Sequence, residues 1–297
     1  MTRPATLRVG TRGSRLALAQ ASIAVDALGS TIGPIELVPI STTGDAISAR
    51  KPRAGWLATD GQFTRELEDA LLDGRVDLVV HSYKDLPTAA VDGLVTAAVL
   101  ERGDPRDCLV TADGRTLDDL PFGARIGTSS PRRAAQLAAT RIDLIATPIR
   151  GNVETRLSRL SAGEYDALIL AAAGLDRLGI DVPKHARLGF DVMLPAPAQG
   201  ALALQVRADH GELRAEIAAA DHAPTRVGVE AERELLRRIG GGCLAPLGAL
   251  GQATGDTLRL CAAYESRSGA YRRAEASGPA NEADAVIRAV AERILAA

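Results

Sequence analysis

Basic and hydroxyl-bearing residues recur at the predicted carboxyl ends of successive strands. In doubly wound α/β domains, ligands bind at these ends, where helix N-termini offer free N–H groups. Guanidinium groups and hydroxyl donors together suit carboxylates and phosphates. A single arginine at such a place is usually a surface ion-pair partner, but a set of them favours a small polyanionic ligand. The set consists of Arg12, Ser14, Lys84, Thr128, Ser129, Ser130, Arg132, Arg133, Arg150, Arg156 and Arg177.

One carboxylate, Asp85, directly follows Lys84 within this basic set. Neighbouring cations favour the ionised form of such a group. Two interpretations stay open: Asp85 is a helix cap or an ion-pair partner of Lys84, or it is a catalytic carboxylate that stabilises a cationic intermediate or shuttles a proton. His81, close by, is predicted to be a packed histidine and not a base.

Cys243 follows the three glycines Gly240–Gly242 at the end of a predicted helix. A lone cysteine is usually an inert small apolar residue, which is our interpretation of Cys108 and Cys261. Glycine neighbours allow unusual backbone dihedrals and an adaptable tip. Cys243 is therefore a candidate nucleophile or attachment point.

Composition narrows the remaining classes of function. The 297 residues are 46% hydrophobic and 24% charged, with a net charge of −2, so we expect a folded protein without general nucleic-acid binding. Three cysteines and four histidines without metal-ligand spacing predict neither a disulfide framework nor a metal site. The apolar runs are too short for a transmembrane helix, and no secretory leader is recognised. We therefore expect a cytoplasmic protein with no membrane partner.

Strand-like runs alternate with amphipathic helical runs over the first two thirds of the chain, which predicts α/β domains with mostly parallel sheets. After about residue 222, strand-like runs and a closing helix, Ala283–Leu295, predict a smaller α+β domain. Ser14 is expected to cap a first helix that ends at Gly29, and Pro131 suits the first turn of a later helix. Residues 202–206 are expected to rejoin the first sheet. Residues 44–61 show little periodicity and are predicted to be a lid or binding loop. The predicted domains are residues 1–100 with 198–220 (domain 1), 101–197 (domain 2) and 221–297 (domain 3).

Six segments follow one another in a characteristic order: Gly10–Ser14, Val80–Pro87, Gly127–Arg133, Arg150–Leu157, Leu194–Gly200 and Gly241–Cys243. Together they resemble the porphobilinogen deaminase family over nearly the whole chain. Each segment alone is weak evidence, but six collinear segments make the resemblance specific. It implies a three-domain fold whose first two α/β domains are similar to class II periplasmic binding proteins.

The resemblance also implies hydroxymethylbilane synthase activity in tetrapyrrole biosynthesis. Four molecules of porphobilinogen would be deaminated and joined head to tail, and linear 1-hydroxymethylbilane released, by a transferase that works as a monomer. A covalent dipyrromethane cofactor would be attached by a thioether to Cys243, and Asp85 would stabilise the cation formed when ammonia leaves. By the same resemblance, the basic and hydroxyl-bearing set described above lies around the cofactor and substrate, together with Gln199. Each pyrrole carries an acetate and a propionate, so this implication agrees with the prediction of a polyanion.

The chain departs from the family pattern in or beside the predicted lid, at Trp56, Asp60 and Gln62 among other positions. The sequence does not show whether these departures slow the enzyme or only reshape the loop. Two other hypotheses stay open. One is a non-catalytic carboxylate- or oxyanion-binding protein on the same scaffold, and the other is a redox or transferase enzyme that uses Cys243 as a nucleophile.

Overall fold

Within the described residues, the chain forms three β-sheets joined by helices. The computed structural model describes residues 6–29, 32–43, 63–240 and 242–296, and at Cys243 only the backbone. The strands are β1 (Leu7–Arg12), β2 (Ile35–Ile40), β3 (Leu78–Ser82), β4 (Leu94–Val99), β5 (Asp107–Val110), β6 (Arg125–Gly127), β7 (Ile145–Thr147), β8 (Ala167–Ala171), β9 (Leu202–Arg207), β10 (Leu247–Thr254), β11 (Thr257–Glu265) and β12 (Tyr271–Pro279). The helices are α1 (Arg15–Leu28), α2 (Arg65–Leu72), α3 (Pro131–Thr140), α4 (Val153–Ser161), α5 (Ala172–Arg177), α6 (Gly211–Ala218), α7 (Ala223–Ile239) and α8 (Ala283–Leu295).

Contacts divide the chain into two compact units. The first is Met1–Gly103 with Ala201–Arg226, and the second is Asp104–Gly200 with Val227–Ala297. The second unit contains two separate sheets, each with its own hydrophobic core. The three predicted domains and their boundaries stay a prediction.

The first unit contains a five-stranded sheet in the order β2-β1-β3-β9-β4. β1 is parallel to both β2 and β3, whereas β9 is antiparallel to β3 and β4. The sequence expectation that residues 202–206 rejoin the first sheet is confirmed. The sheet is mixed: β2, β1, β3 and β4 run in one direction, as predicted, and β9 alone of these five strands runs against them. It does so because the returning chain enters with Leu202 opposite Ser82, at the carboxyl end of β3.

Helix α1 follows β1 and begins and ends where the sequence predicts. The Oγ atom of Ser14 accepts a hydrogen bond from the backbone N–H of Ala17 at 3.2 Å, which satisfies one of the free donors of the first turn. Gly29 ends the helix with a φ of 68°, a conformation that glycine adopts at little cost. These two signals fix the helix directly beside the carboxyl end of β1.

The second unit has a four-stranded sheet in the order β5-β8-β6-β7. β6 is parallel to β7 and β8, and β5 is antiparallel to β8. The separate C-terminal sheet, β10-β11-β12, is antiparallel throughout. Its core includes Leu235 of α7, Leu260 of β11 and Val290 of α8, all fully buried. The predicted α+β character of the C-terminal region is confirmed.

Two helices, α5 and α6, are not predicted by the sequence pattern. Helix α5 has six residues, of which the first four are buried, so it shows no alternation of polar and apolar faces. Helix α6 has eight residues and only Leu213 and Ile217 buried. Two turns are too few for the 3.6-residue period to stand out.

The predicted lid, 44–61, lies outside the described residues, as do Trp56, Asp60 and Gln62. Across the ranges that are described, none of the helices has the length and apolar character needed to cross a membrane. Nor do the described side chains include a group of three or more metal-ligating residues that could hold an ion.

Candidate functional site

The first group of predicted site residues lies at one edge of the first sheet. β1 and β3 are parallel neighbours, with Val9 opposite Leu78, so their carboxyl ends meet at the same edge. Arg12 ends β1. Lys84 and Asp85 lie in the 3-10 turn Tyr83–Asp85, which follows β3 directly. The structure therefore brings these three charged residues to a common edge, as the sequence predicts.

Local contacts hold this edge in place. The guanidinium of Arg12 lies 4.1 Å from the centre of the Phe63 ring, a cation–π contact that orients it. The Oγ1 of Thr11 donates to the carbonyl of Ala17 at 3.1 Å, which ties β1 to α1. Ser82, the last residue of β3, donates to the Oε1 of Gln20 at 3.0 Å.

Asp85 is half-buried, and within the described part of the chain its carboxylate has no hydrogen bond or ion pair. Carboxylates that serve structure usually receive hydrogen bonds, because burying an unpaired charge is costly. The sequence analysis left a capping or ion-pair role open for Asp85. No such cap or ion pair is formed in the described chain, and the catalytic role of Asp85 stays a prediction.

The second group lies at the carboxyl edge of the second sheet, where parallel strands β8, β6 and β7 end side by side. Residues 128–130 connect β6 to α3. Arg150 follows β7 closely, Arg156 lies in α4, and Arg177 ends α5, the helix that follows β8. The strand order thus gathers residues that are far apart in sequence.

The hydroxyl groups of residues 128–130 act on the loop's own backbone. The Oγ of Ser129 donates to the carbonyl of Ile149 at 2.7 Å and accepts from the N–H of Ile149 at 3.0 Å. The Oγ of Ser130 caps α3, accepting from the N–H of Arg133 at 3.4 Å. Thr128 accepts from the N–H of Ser130 at 3.2 Å. These bonds shape the loop at the N-terminus of α3, a place that favours anions.

Arg132 and Arg133 bind a buried aspartate that the sequence analysis missed. Asp107, the first residue of β5, is fully buried, with its two oxygens 2.7 Å from Arg132 Nη1 and 2.7 Å from Arg133 Nη2. The Nε2 of Gln199 donates to the same carboxylate at 2.9 Å. Burial acts to raise the pKa of Asp107, but the two guanidiniums outweigh it and hold the pKa well below its usual value.

This network changes the expectation for Arg132 and Arg133. Their side chains are 4% and 8% exposed, and Arg132 also donates to the Leu194 carbonyl, Arg133 to that of Ile169. The buried Nε atoms of both arginines have no hydrogen-bond partner within the described chain. Direct ligand binding by these two arginines stays a prediction. On each side chain, the Nε–H group is the donor that such a ligand would use.

A sequence signal for Asp107 exists. It directly precedes the apolar run Cys108–Val110, and an aspartate at the start of a buried strand requires compensating cations. What the sequence does not show is which of many arginines supplies them.

Gln199 lies on a loop that a second buried carboxylate fixes. Glu232 is fully buried and accepts hydrogen bonds from the N–H of Ala198 at 2.6 Å and from the N–H of Gly251 at 2.7 Å. Ala198 has a φ of 59°, in the left-handed region that residues other than glycine seldom adopt. The hydrogen bond from Ala198 helps to hold this conformation, and it places Gln199 next to Asp107.

Arg177 and Arg156 are half-buried. The Nη2 of Arg177 donates to the Gly200 carbonyl at 2.5 Å, and burial lowers the pKa of Arg177 to about 10, an effect that Asp176 partly opposes. The Nε of Arg156 donates to the Gly151 carbonyl at 2.8 Å. Both guanidiniums bind backbone oxygens in these contacts.

Cys243 lies in the 3-10 turn Gly242–Leu244, and its side chain lies outside what the structure describes. The preceding glycines do adopt conformations that favour glycine, with φ of 75° at Gly240 and 54° at Gly242. The role of Cys243 as the attachment point of the cofactor stays a prediction.

The described donors fit a cofactor that carries several carboxylates. The edge of the second sheet carries several guanidinium groups, and the buried Nε atoms of Arg132 and Arg133 are donors without acceptors among the described atoms. Carboxylate oxygens are the acceptors that such donors prefer. A dipyrromethane with acetate and propionate side chains provides them.

Comparisons with known proteins agree with this chemistry. Residues 7–215 match the family model "porphobilinogen deaminase, dipyromethane cofactor binding domain", and residues 227–296 match its C-terminal domain. The chain is 48% identical over 290 residues to porphobilinogen deaminase of Desulforudis audaxviator, covering 97% of this chain and 93% of that one. It is 50% identical to that of Acidothermus cellulolyticus, covering 98% and 89%. The methionine-binding protein MetQ aligns with 80% of this chain and 97% of its own at 13% identity, with a TM-score of 0.46.

The fold and the matched domains define a protein with two α/β regions and a separate C-terminal sheet. The chain belongs to the porphobilinogen deaminase family. This confirms the resemblance drawn from the six segments and the expectation of a dipyrromethane-binding domain. The two mixed sheets and the separate C-terminal sheet confirm the predicted α/β class of fold.

Proposed function

We propose that this chain is a transferase, the hydroxymethylbilane synthase of tetrapyrrole biosynthesis. It would deaminate four porphobilinogen molecules, condense them head to tail and release linear 1-hydroxymethylbilane. Family membership supports the reaction class. The observation that carries the assignment to residues is the half-buried carboxylate of Asp85, which has no partner in the described chain and lies at one strand edge with Arg12 and Lys84.

Asp85 would be the catalytic carboxylate. Loss of ammonia from porphobilinogen leaves a cation, and a fixed carboxylate stabilises developing positive charge without having to reorganise. The same oxygens can accept hydrogen bonds from pyrrole N–H groups and so orient the ring. Lys84 and Arg12 at the same edge would bind the carboxylates of the substrate.

The residues of the second edge would bind the acetate and propionate groups of cofactor and product. These are Thr128, Ser129, Ser130, Arg132, Arg133, Arg150, Arg156, Arg177 and Gln199, with Ser14 at the first edge. When bound, the cofactor supplies the pyrrole carbon onto which the growing chain is built. The chain's own contribution is to hold that group by Cys243 and to neutralise its carboxylates.

Intact mass spectrometry tests the proposal. The purified protein should exceed the mass of its sequence by two pyrrole units and give a colour with Ehrlich's reagent. A Cys243→Ser variant should lose both, whereas the matched Cys261→Ser variant should keep both. The same mass excess in Cys243→Ser would refute the attachment site, and no excess in the wild type would favour a non-catalytic carboxylate-binding protein.

A cytoplasmic monomer is part of the proposal. It rests on family expectation and on the composition. Size-exclusion chromatography with light scattering, on the cofactor-bearing protein, measures the mass in solution directly, and a dimer mass would contradict it.

A further inference from the structure

The C-terminal sheet borders a cavity of about 680 Å³ that includes none of the predicted site residues. β11 and β12 contribute charged residues and Cys261 to its lining, and Phe190 and Leu194 contribute an apolar wall. All of these belong to the second compact unit. Cavities of a few hundred Å³ are the size that holds small molecules.

One side of the cavity is apolar and fixed. Phe190, Leu194 and Leu250 pack in one cluster. The N–H of Leu194 donates to the Oε1 of Gln136 at 2.8 Å, and its carbonyl accepts from Arg132 at 2.6 Å and from Gln136 Nε2 at 2.9 Å. This buried network fixes Leu194, and with it the apolar side of the cavity, before any ligand arrives.

The other side is basic. Arg259 is neutralised by Glu275, with Nη2 and Oε2 2.6 Å apart. Arg273 and Arg293 donate to the backbone carbonyls of Phe190 and Glu275, and neither has a carboxylate partner among the described residues. Asp191 is the remaining acid of the lining. The lining therefore carries a net positive charge, which favours an anion.

Cys261 lies half-buried in the lining, and its Sγ donates to the Oε2 of Glu275 at 3.4 Å. Burial raises the pKa of the Cys261 thiol, and Glu275 adds to the effect although Arg259 opposes it. The thiol is therefore protonated at neutral pH and is a poor nucleophile. The chemistry of the cavity points to reversible binding and not to a covalent reaction.

We propose that this cavity is a second binding site, separate from the cofactor and substrate residues, for a small carboxylate with a flat apolar body. The carboxylates would pair with Arg273 and Arg293, and the body would pack against Phe190 and Leu194. Planar guanidinium groups bind carboxylates through two parallel hydrogen bonds, and an apolar wall beside them adds affinity for a ring.

The test uses Cys261 as a local reporter in the cofactor-bearing protein. The probe is isophthalate, and the rate of Cys261 alkylation by N-ethylmaleimide is followed by peptide mass spectrometry. At ten times the dissociation constant about a tenth of the sites stay free, so we expect saturable protection of about tenfold. Isophthalamide, the neutral isostere, should not protect.

The Arg273→Gln/Arg293→Gln double variant should lose the protection. Arg288→Gln, an exposed arginine of the same sheet-and-helix region that pairs with Asp284, should keep it. Thermal unfolding gives a readout that does not depend on thiol reactivity: isophthalate should raise the Tm of the wild type more than that of the double variant. An unchanged alkylation rate with no differential Tm shift would overturn the proposal. Equal protection by isophthalamide, or in the double variant, would overturn it as well.

Discussion

Two aspartates, Asp85 and Asp107, differ in burial and in partners in the two compact units. Asp107 is fully buried and binds two guanidiniums and an amide. Asp85 is half-buried and has no partner among the described residues. Each lies near predicted cations, so proximity to arginine and lysine in the sequence does not distinguish the two aspartates. They are distinguished by the number of hydrogen-bond and ion-pair partners that each carboxylate has among the described residues.

This difference in partners indicates which of the two carboxylates is needed for the stability of the fold. A buried charge with all its hydrogen bonds made is costly to disturb, because its partners lose their compensation. A carboxylate without partners can change its interactions during a reaction at little cost to the fold. We therefore expect substitutions of Asp107 to act on stability and those of Asp85 on turnover.

The largest effect is expected for Asp107→Asn. Removing the charge leaves Arg132 and Arg133 buried without a counterion, which typically destabilises a protein by about 3–5 kcal/mol. Urea unfolding followed by circular dichroism measures the loss. The matched control is Asp143→Asn, which breaks the 2.7 Å ion pair with Arg141 nearer the surface and should change stability far less. Equal losses in the two variants would contradict the structural role of Asp107.

Asp85→Asn should leave the unfolding midpoint nearly unchanged and lower kcat by about a hundredfold or more, since one preorganised electrostatic group is typically worth that much. The readout is porphobilinogen consumption by protein that still carries its pyrroles, verified by intact mass. Asp92→Asn, an exposed aspartate of the same unit, serves as the control with normal kcat. An active Asp85→Asn variant would remove the basis of the comparison.

Acid should reveal the same contrast. The pKa of Asp107 is lowered in the folded protein, so its contribution to stability is complete above its unfolded pKa of about 3.9 and is lost as pH falls below that value. Unfolding free energies at a series of pH values from about 6 to about 3 test this. The wild type should lose stability more steeply than Asp107→Asn over the acid part of that range. Parallel curves would show that Asp107 is not the group responsible.

Local signals make much of the fold predictable from the sequence. Ser14 and Gly29 bound α1, Pro131 lies in the first turn of α3, and the closing helix, Ala283–Leu295, has the predicted bounds. Capping, proline and glycine act within a few residues, so the sequence displays them directly. Short helices such as α5 carry too little periodicity to be seen.

The sequence predicts which cations lie at the carboxyl ends of the parallel strands, and the structure places them there. Their role in binding stays a prediction, and their geometry could not be predicted. That Arg132 and Arg133 turn towards Asp107, some 25 positions earlier in the chain, depends on how β5 enters the sheet. Such long-range pairing follows from tertiary packing, which propensity and motifs do not encode.

Ser130→Ala gives the smallest effect and tests whether the second edge depends on its cap. The Oγ of Ser130 accepts from the N–H of Arg133, and losing a serine cap usually costs about 1 kcal/mol. Because the cap lies at the N-terminus of α3, the variant should also raise KM for porphobilinogen while leaving kcat almost unchanged. Ser130→Gly is the control for backbone geometry and should lose only a few tenths of a kcal/mol, since glycine is tolerated at this position. If neither variant is less stable than the wild type, the side-chain hydrogen bond of Ser130 contributes nothing to stability.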